Sequence, residues 1–206
     1  MSKSNSADNS FASESIVLGG GCFWCLDAIF RRVKGVINVQ TGYAGGKELN
    51  PCYESIHANT TGHAEVVKVA FDPKTIPLKN ILKIFWSIHD PTQGNRQDSD
   101  IGEQYRSIIL YADEGQRQAA INSLKYDAAK LYGNKITTEL KRLNRFYPAE
   151  ERHQNYYAKN PTGGYCEAVI SPKLAKFQRN FSEYLKPAAQ PSRVVARRKD
   201  CYTAYV

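Results

Sequence analysis

No run of apolar residues in the 206-residue chain approaches the roughly 18 needed to cross a bilayer, so a membrane-spanning helix is not expected. The first fifteen residues, MSKSNSADNSFASES, lack the apolar stretch of a secretory leader, and the protein is therefore placed in the cytoplasm. In that reducing compartment five cysteines do not imply a disulfide framework; they imply redox, catalytic or metal chemistry. A metal site is short of ligands. Beside Cys22-x-x-Cys25 there is no second CxxC and no HxxxH pair, although Cys52, Cys166, Cys201, His57, His63, His89 and His153 are available, and zinc ranks low. The net charge of +8 has no focus either. Its densest cluster, RVVARRK from Arg193 to Lys199, reads as a solvated tail rather than a specific nucleic-acid surface. No internal repeat is present.

What remains is the pattern of one domain, expected over 16–185, between a disordered arm (1–15) and a basic, mobile tail (186–206) that carries Cys201. IVLGG (Ile16 to Gly20) reads as a strand, and Leu26, Ile29, Phe30 and Val33 fall on one helix face. Strands are expected again over Gly35–Gly46 and through HAEVVKVAF, where Glu65, Val67, Val69 and Phe71 share one side. Leu78 to Ile88 returns to helical spacing. Tyr105–Asp113 is read as a strand, Glu114–Tyr132 as a helix, Lys135–Leu143 as a strand, and SPKLAKFQRNFSEYL as a last helix. The order strand, helix, strand, strand, helix, strand predicts an α+β fold. Its sheet is expected to be mixed and ferredoxin-like (split βαβ), covered by helices, with added elements and a long irregular C-terminal segment.

The chemistry concentrates in LGGGCFWC, Leu18 to Cys25. If the strand ends at Gly20 or Gly21, Cys22 stands at a helix N-terminus, where unsatisfied N–H groups favour a thiolate nucleophile. The glycines are expected to let backbone amides approach whatever the sulfur attacks. Taken alone, the CxxC spacing also permits a general dithiol-disulfide oxidoreductase. Phe23 and Trp24 are large for that role, and from pattern alone they are equally an apolar pocket wall or plain core.

GCFWC (Gly21 to Cys25), TGYAGG (Thr41 to Gly46), TGHAEVV (Thr61 to Val67), HDPT with NRQ (His89 to Gln97), DIGEQYRS (Asp100 to Ser107), FYPAEERHQNYY (Phe146 to Tyr157) and YCEAVISPKLAKF (Tyr165 to Phe177) together resemble the peptide methionine sulfoxide reductase A family. The resemblance runs from about Ile16 to Leu185. It implies reduction of methionine S-sulfoxide, free or in oxidised proteins, to methionine, with no bound cofactor and with thioredoxin, or dithiothreitol in vitro, as the external reductant. Cys22 is then the nucleophile and Glu65 the acid that protonates the leaving oxygen. Tyr53 and Tyr105 hydrogen-bond the sulfoxide oxygen, Asp100 orders that network, and Phe23 with Trp24 cups the S-methyl group. A second thiol must resolve the sulfenic acid left on Cys22. Cys25, Cys166 and Cys201 are the candidates, although KDCYTAYV around Cys201 does not match the Gly-rich tail associated with that role. Cys52 replaces a common Thr and is read as incidental; His153 is assigned packing alone. The partners implied are oxidised proteins and free methionine S-sulfoxide as substrates and thioredoxin as reductant, with no nucleic acid, no membrane, and a monomeric protein.

Overall fold

A computed structural model describes residues 13–58 and 61–187. Cys201 and most of the expected arm and tail lie outside the described residues. Along the chain the elements are β1 (Glu14–Gly19), α1 (Phe23–Phe30), β2 (Val36–Ala44), α2 (Tyr53–His57), β3 (Ala64–Phe71), α3 (Leu78–Ile88), the two-residue strands β4 (Arg96–Gln97) and β5 (Asp100–Ile101), β6 (Ile108–Tyr111), α4 (Glu114–Ser123), α5 (Ala129–Tyr132), β7 (Glu139–Arg142), β8 (Phe146–Pro148), α6 (Tyr156–Lys159) and α7 (Ser171–Asn180). Six strands form one sheet in the order β7-β6-β1-β3-β2-β8. β1 is antiparallel to both β3 and β6, and β3 to β2, whereas β7 lies parallel to β6. The sheet is therefore mixed and the class α+β. β1 and β2 run the same way on either side of β3 and are joined through α1, a βαβ unit with a strand inserted into it.

Strand alternation decides which side chains meet. Ile16, Leu18, Val67, Val69, Phe71 and Ile109 face the main core beneath the helices, with Leu26, Phe30, Phe85 and Trp86. Val17, Ala44, Ala64, Val66, Ile108 and Leu110 pack on the opposite face. Both sheet faces are thus buried, and Glu65, in phase with Val67, is directed inward and only 1% exposed.

Two sequence expectations need correction. The strand expected from Tyr105 begins only at Ile108, because Glu103–Tyr105 closes a 3-10 turn in which the Tyr105 N–H donates to Gly102 O at 3.1 Å. The strand expected from Lys135 begins at Glu139, since Thr137 N–H instead donates to Pro91 O at 2.8 Å. The expected helix over Glu114–Tyr132 is continuous but passes through a π-helical segment, Leu124–Ala128.

Asp27, buried on α1, pairs with Arg31 Nε at 2.7 Å through Oδ1, but its Oδ2 has no partner among the described residues. Burial outweighs the Arg31 charge and pushes its pKa up to about 6. A carboxyl whose folded pKa is raised costs stability once pH exceeds its unfolded value, and the full cost, roughly 3 kcal/mol, is present above the folded value. The stability of Asp27→Asn relative to the wild type should therefore improve between about pH 4 and pH 6 in urea unfolding. A difference that is flat with pH would contradict this placement of the charge.

Candidate active site

β1 ends at Gly19 and α1 begins at Phe23, so Cys22 is the N-cap residue. The Gly21 amide is not open toward a substrate, and both glycines between them are held by close packing. Gly21, at φ +89°, would place a Cβ 2.6 Å from Gln97 Cγ, and its N–H donates to Tyr105 O at 3.1 Å. Gly20 packs against the ring of His89 in the same way. That ring is itself fixed by Phe85 O (2.7 Å) and Ser107 Oγ (2.8 Å), and burial lowers its pKa to about 4. The HDPT and NRQ stretch is thus a backing against which the cysteine turn is pressed.

Opposite Cys22, the β3 carboxylate of Glu65 accepts the Phe23 N–H at 3.0 Å through Oε2. The first free amide of α1 is therefore taken by a carboxylate rather than by the thiol. Tyr53 is brought in by α2, whose first N–H donates to Glu150 Oε1 at 2.9 Å; the other oxygen, Oε2, accepts from Tyr43 OH at 2.9 Å. The loop carrying Glu150 is held by Gln154, which pairs with both the N–H and the C=O of Thr41 at 3.0 Å. The TGYAGG and FYPAEERHQ blocks are in this way one unit that aims Tyr53. His153 from the same loop stacks on Tyr53 (4.4 Å) and approaches Trp24 (5.7 Å), and Trp24 lies flat on Tyr156 at 3.7 Å.

These elements enclose a cavity of about 190 Å³. It is lined by Cys22, Phe23 and Trp24 on one side and by Tyr53, Glu65, Asp100 and Tyr105 on the other. Tyr165, which the sequence reading gave no role, completes the wall and donates its hydroxyl hydrogen bond to Asp100 Oδ2 at 2.8 Å. Only its position beside Cys166 within a recognised block pointed to it.

A family model described as peptide methionine sulfoxide reductase matches residues 14–185. The chain belongs to the peptide methionine sulfoxide reductase family. It is 52% identical over 170 residues to the peptide methionine sulfoxide reductase MsrA of Nautilia profundicola, covering 82% of this chain and 97% of the relative. The MsrA of Sulfolobus acidocaldarius is 51% identical over 170 residues, with 82% and 96% covered. Among solved structures, reduced Mxr1 from Saccharomyces cerevisiae superimposes with a TM-score of 0.69 at 34% identity, covering 75% of this chain and 89% of that one. Methionine sulfoxide reductase A of Corynebacterium diphtheriae gives 0.66 at 35% identity, covering 73% and 76%.

The electrostatics of this reductase pocket follow from its burial. Glu65 is pushed above the usual carboxylate range, burial outweighing the opposing pull of His57 and the Phe23 N–H. Burial also holds the Tyr53 and Tyr105 hydroxyls protonated, reinforced by the nearby Glu65 charge, so both are donors. The low-pKa thiolate expected for Cys22 is not what the substrate-free pocket favours. Burial, a hydrogen bond to Cys25 and the Glu65 charge all raise the Cys22 thiol, against only the Trp24 N–H. Cys25 is lowered instead, first by that hydrogen bond with Cys22, then by Lys173 and Tyr165.

The candidate resolving thiols are unevenly placed. Cys25, one turn along α1, interacts directly with Cys22. Cys166 is fully buried in the same core and close enough to Cys25 to feel its charge. Cys52, exposed, is the N-cap of α2 and does not line the cavity. Among the described residues no group of three or more His, Cys, Asp or Glu side chains is arranged to hold a metal ion, and no helix is long and apolar enough to cross a membrane.

Proposed function

We propose that this cavity takes the S-methyl sulfoxide end of oxidised methionine, in the S configuration, with Cys22 as attacking sulfur and Glu65 as proton donor. The reaction, reduction of methionine sulfoxide to methionine, is that of the peptide methionine sulfoxide reductase family to which the chain belongs. The observation that carries the assignment of roles is the meeting of a thiol, a buried carboxyl and two tyrosine hydroxyls around one small, partly aromatic space. Phe23 and Trp24, which both line the cavity, give the methyl group an apolar wall. Tyr53 and Tyr105 donate to the sulfoxide oxygen, and Asp100 with Tyr165 forms the far wall. As Cys22 attacks, Glu65 protonates that oxygen, which passes to the cysteine as a sulfenic acid while methionine leaves.

Cys25 then attacks the sulfenic acid, forming the Cys22–Cys25 disulfide and releasing water. The hydrogen bond between them supports Cys25 over Cys166, whose charge contact is with Cys25, and a CxxC pair closes without a long loop. Thioredoxin returns the pair to two thiols by disulfide exchange. Peptide mapping after one turnover without reductant should show Cys22 joined to Cys25, and Cys201→Ser should still lose two thiols. A Cys22–Cys201 peptide, or a Cys201→Ser protein halted as a sulfenic acid trapped by dimedone, would overturn this order. A general dithiol-disulfide oxidoreductase built on the same CxxC would instead reduce insulin and be indifferent to Glu65.

A further inference from the structure

Glu65 is approached from two sides. Oε2 accepts the Phe23 N–H, while Oε1 lies 3.3 Å from His57 Nε2. That nitrogen is buried, and its one polar contact among the described residues is this one with Oε1. The ring is not free to turn away. It packs on Tyr53, one turn earlier in α2, with centroids 4.1 Å apart, and meets the edge of Tyr105 at 6.1 Å. The His57 side chain is 30% exposed and that of Glu65 only 2%, so the contact joins a partly exposed imidazole to a buried acid.

We infer that His57 is a positioning residue for the acid: it holds Oε1 of Glu65, so that the proton donor is a carboxyl–imidazole pair rather than a lone carboxyl. The inference deepens the proposed function and rests on Glu65 being the acid. A buried carboxyl without this neighbour keeps its proton more tightly, since burial disfavours the charged form and an imidazole donor favours it. It also loses lateral support for the orientation that aims the proton at the substrate. Other groups that bear on the pair are Cys22 from the turn before α1, Tyr43 from β2, Tyr53 from α2, Asp100 from β5 and Tyr105 from the turn before β6. His153, whose own pKa is lowered by burial and the Arg152 charge, packs from the loop after β8. These groups remain in a His57 variant, so a change in titration on its removal is attributable to the imidazole.

The test compares His57→Ala and His57→Gln with the wild type by two readouts: the pH profile of single-turnover methionine formation, and the infrared C=O stretch of the protonated Glu65 carboxyl, identified by its loss in Glu65→Gln. In His57→Ala the carboxyl band should persist to higher pH, and the limb on which the rate advantage over Glu65→Gln is lost should move with it. His57→Gln, which restores a side-chain N–H without the imidazole, should fall between the two. In a Glu65→Gln background, His57→Ala should change the rate by less than about twofold, because the imidazole acts only through the carboxyl. An unmoved band and limb in both variants, or an equal effect with and without Glu65, would overturn the inference. A Glu65→Gln protein as fast as the wild type would overturn the proposed acid and this inference together, whereas a slow Glu65→Gln with unshifted His57 variants would overturn this one alone.

Discussion

Cys22→Ser is expected to abolish sulfoxide reduction, the first turnover included. Sulfur attacks sulfur because it is soft and, once deprotonated, strongly nucleophilic; a serine hydroxyl at the same N-cap position offers neither property. The variant should fold, since serine is a good N-cap residue and slightly smaller than the cysteine it replaces. Quenched-flow assay with one equivalent of methionine S-sulfoxide per protein should therefore give no methionine above background, with unchanged circular dichroism. Because burial raises the Cys22 thiol and Cys25 shares its proton, the wild-type rate should also climb with pH on its acid side. Substantial methionine release by the serine variant would mean that another thiol does the chemistry.

The second large effect is at Glu65. Glu65→Gln should slow the chemical step by roughly 10²–10⁴-fold, the contribution usual for a positioned general acid, while leaving substrate affinity nearly unchanged. The substitution is close to isosteric, and an amide oxygen can still accept the Phe23 N–H, so the cysteine turn keeps its anchor. Only the transferable proton is lost. With the carboxyl pushed up by burial, the rate advantage of the wild type over the glutamine variant should be lost as pH rises through the folded pKa of Glu65. Equal single-turnover rates in the two proteins would remove Glu65 from the mechanism.

Much of the site was legible because its residues sit in short, dense stretches. GCFW and GHAEVV place Cys22 and Glu65 on neighbouring elements, and strand phase alone puts Glu65 on the core side with Val67 and Val69. The α+β class was legible for the same reason, period-2 and period-3.6 patterns alternating cleanly through Phe85. What could not be read are features set by contacts distant in sequence. α2 spans five residues, too few to show a helical period, and its start is fixed by Glu150, 97 positions away from Tyr53. Without α2, the approach of His57 to Glu65 has no sequence signal. Tyr165 reaches the cavity through a hydrogen bond to Asp100 across 65 positions. The upward push on the Cys22 thiol has a related origin: helix N-terminal spacing shows which amides are free, but not that the turn is buried beside a carboxyl from β3 that takes the first of them.

The central claim is tested most directly in a protein whose only cysteine is Cys22, with Cys25, Cys52, Cys166 and Cys201 replaced by serine. One equivalent of methionine S-sulfoxide should give close to one methionine per protein and one dimedone adduct, mapped by mass spectrometry to Cys22. Methionine R-sulfoxide should give neither, since a chiral pocket aligns only one epimer's oxygen with the acid. Methionine released without an adduct at Cys22, or equal consumption of both epimers, would contradict the account.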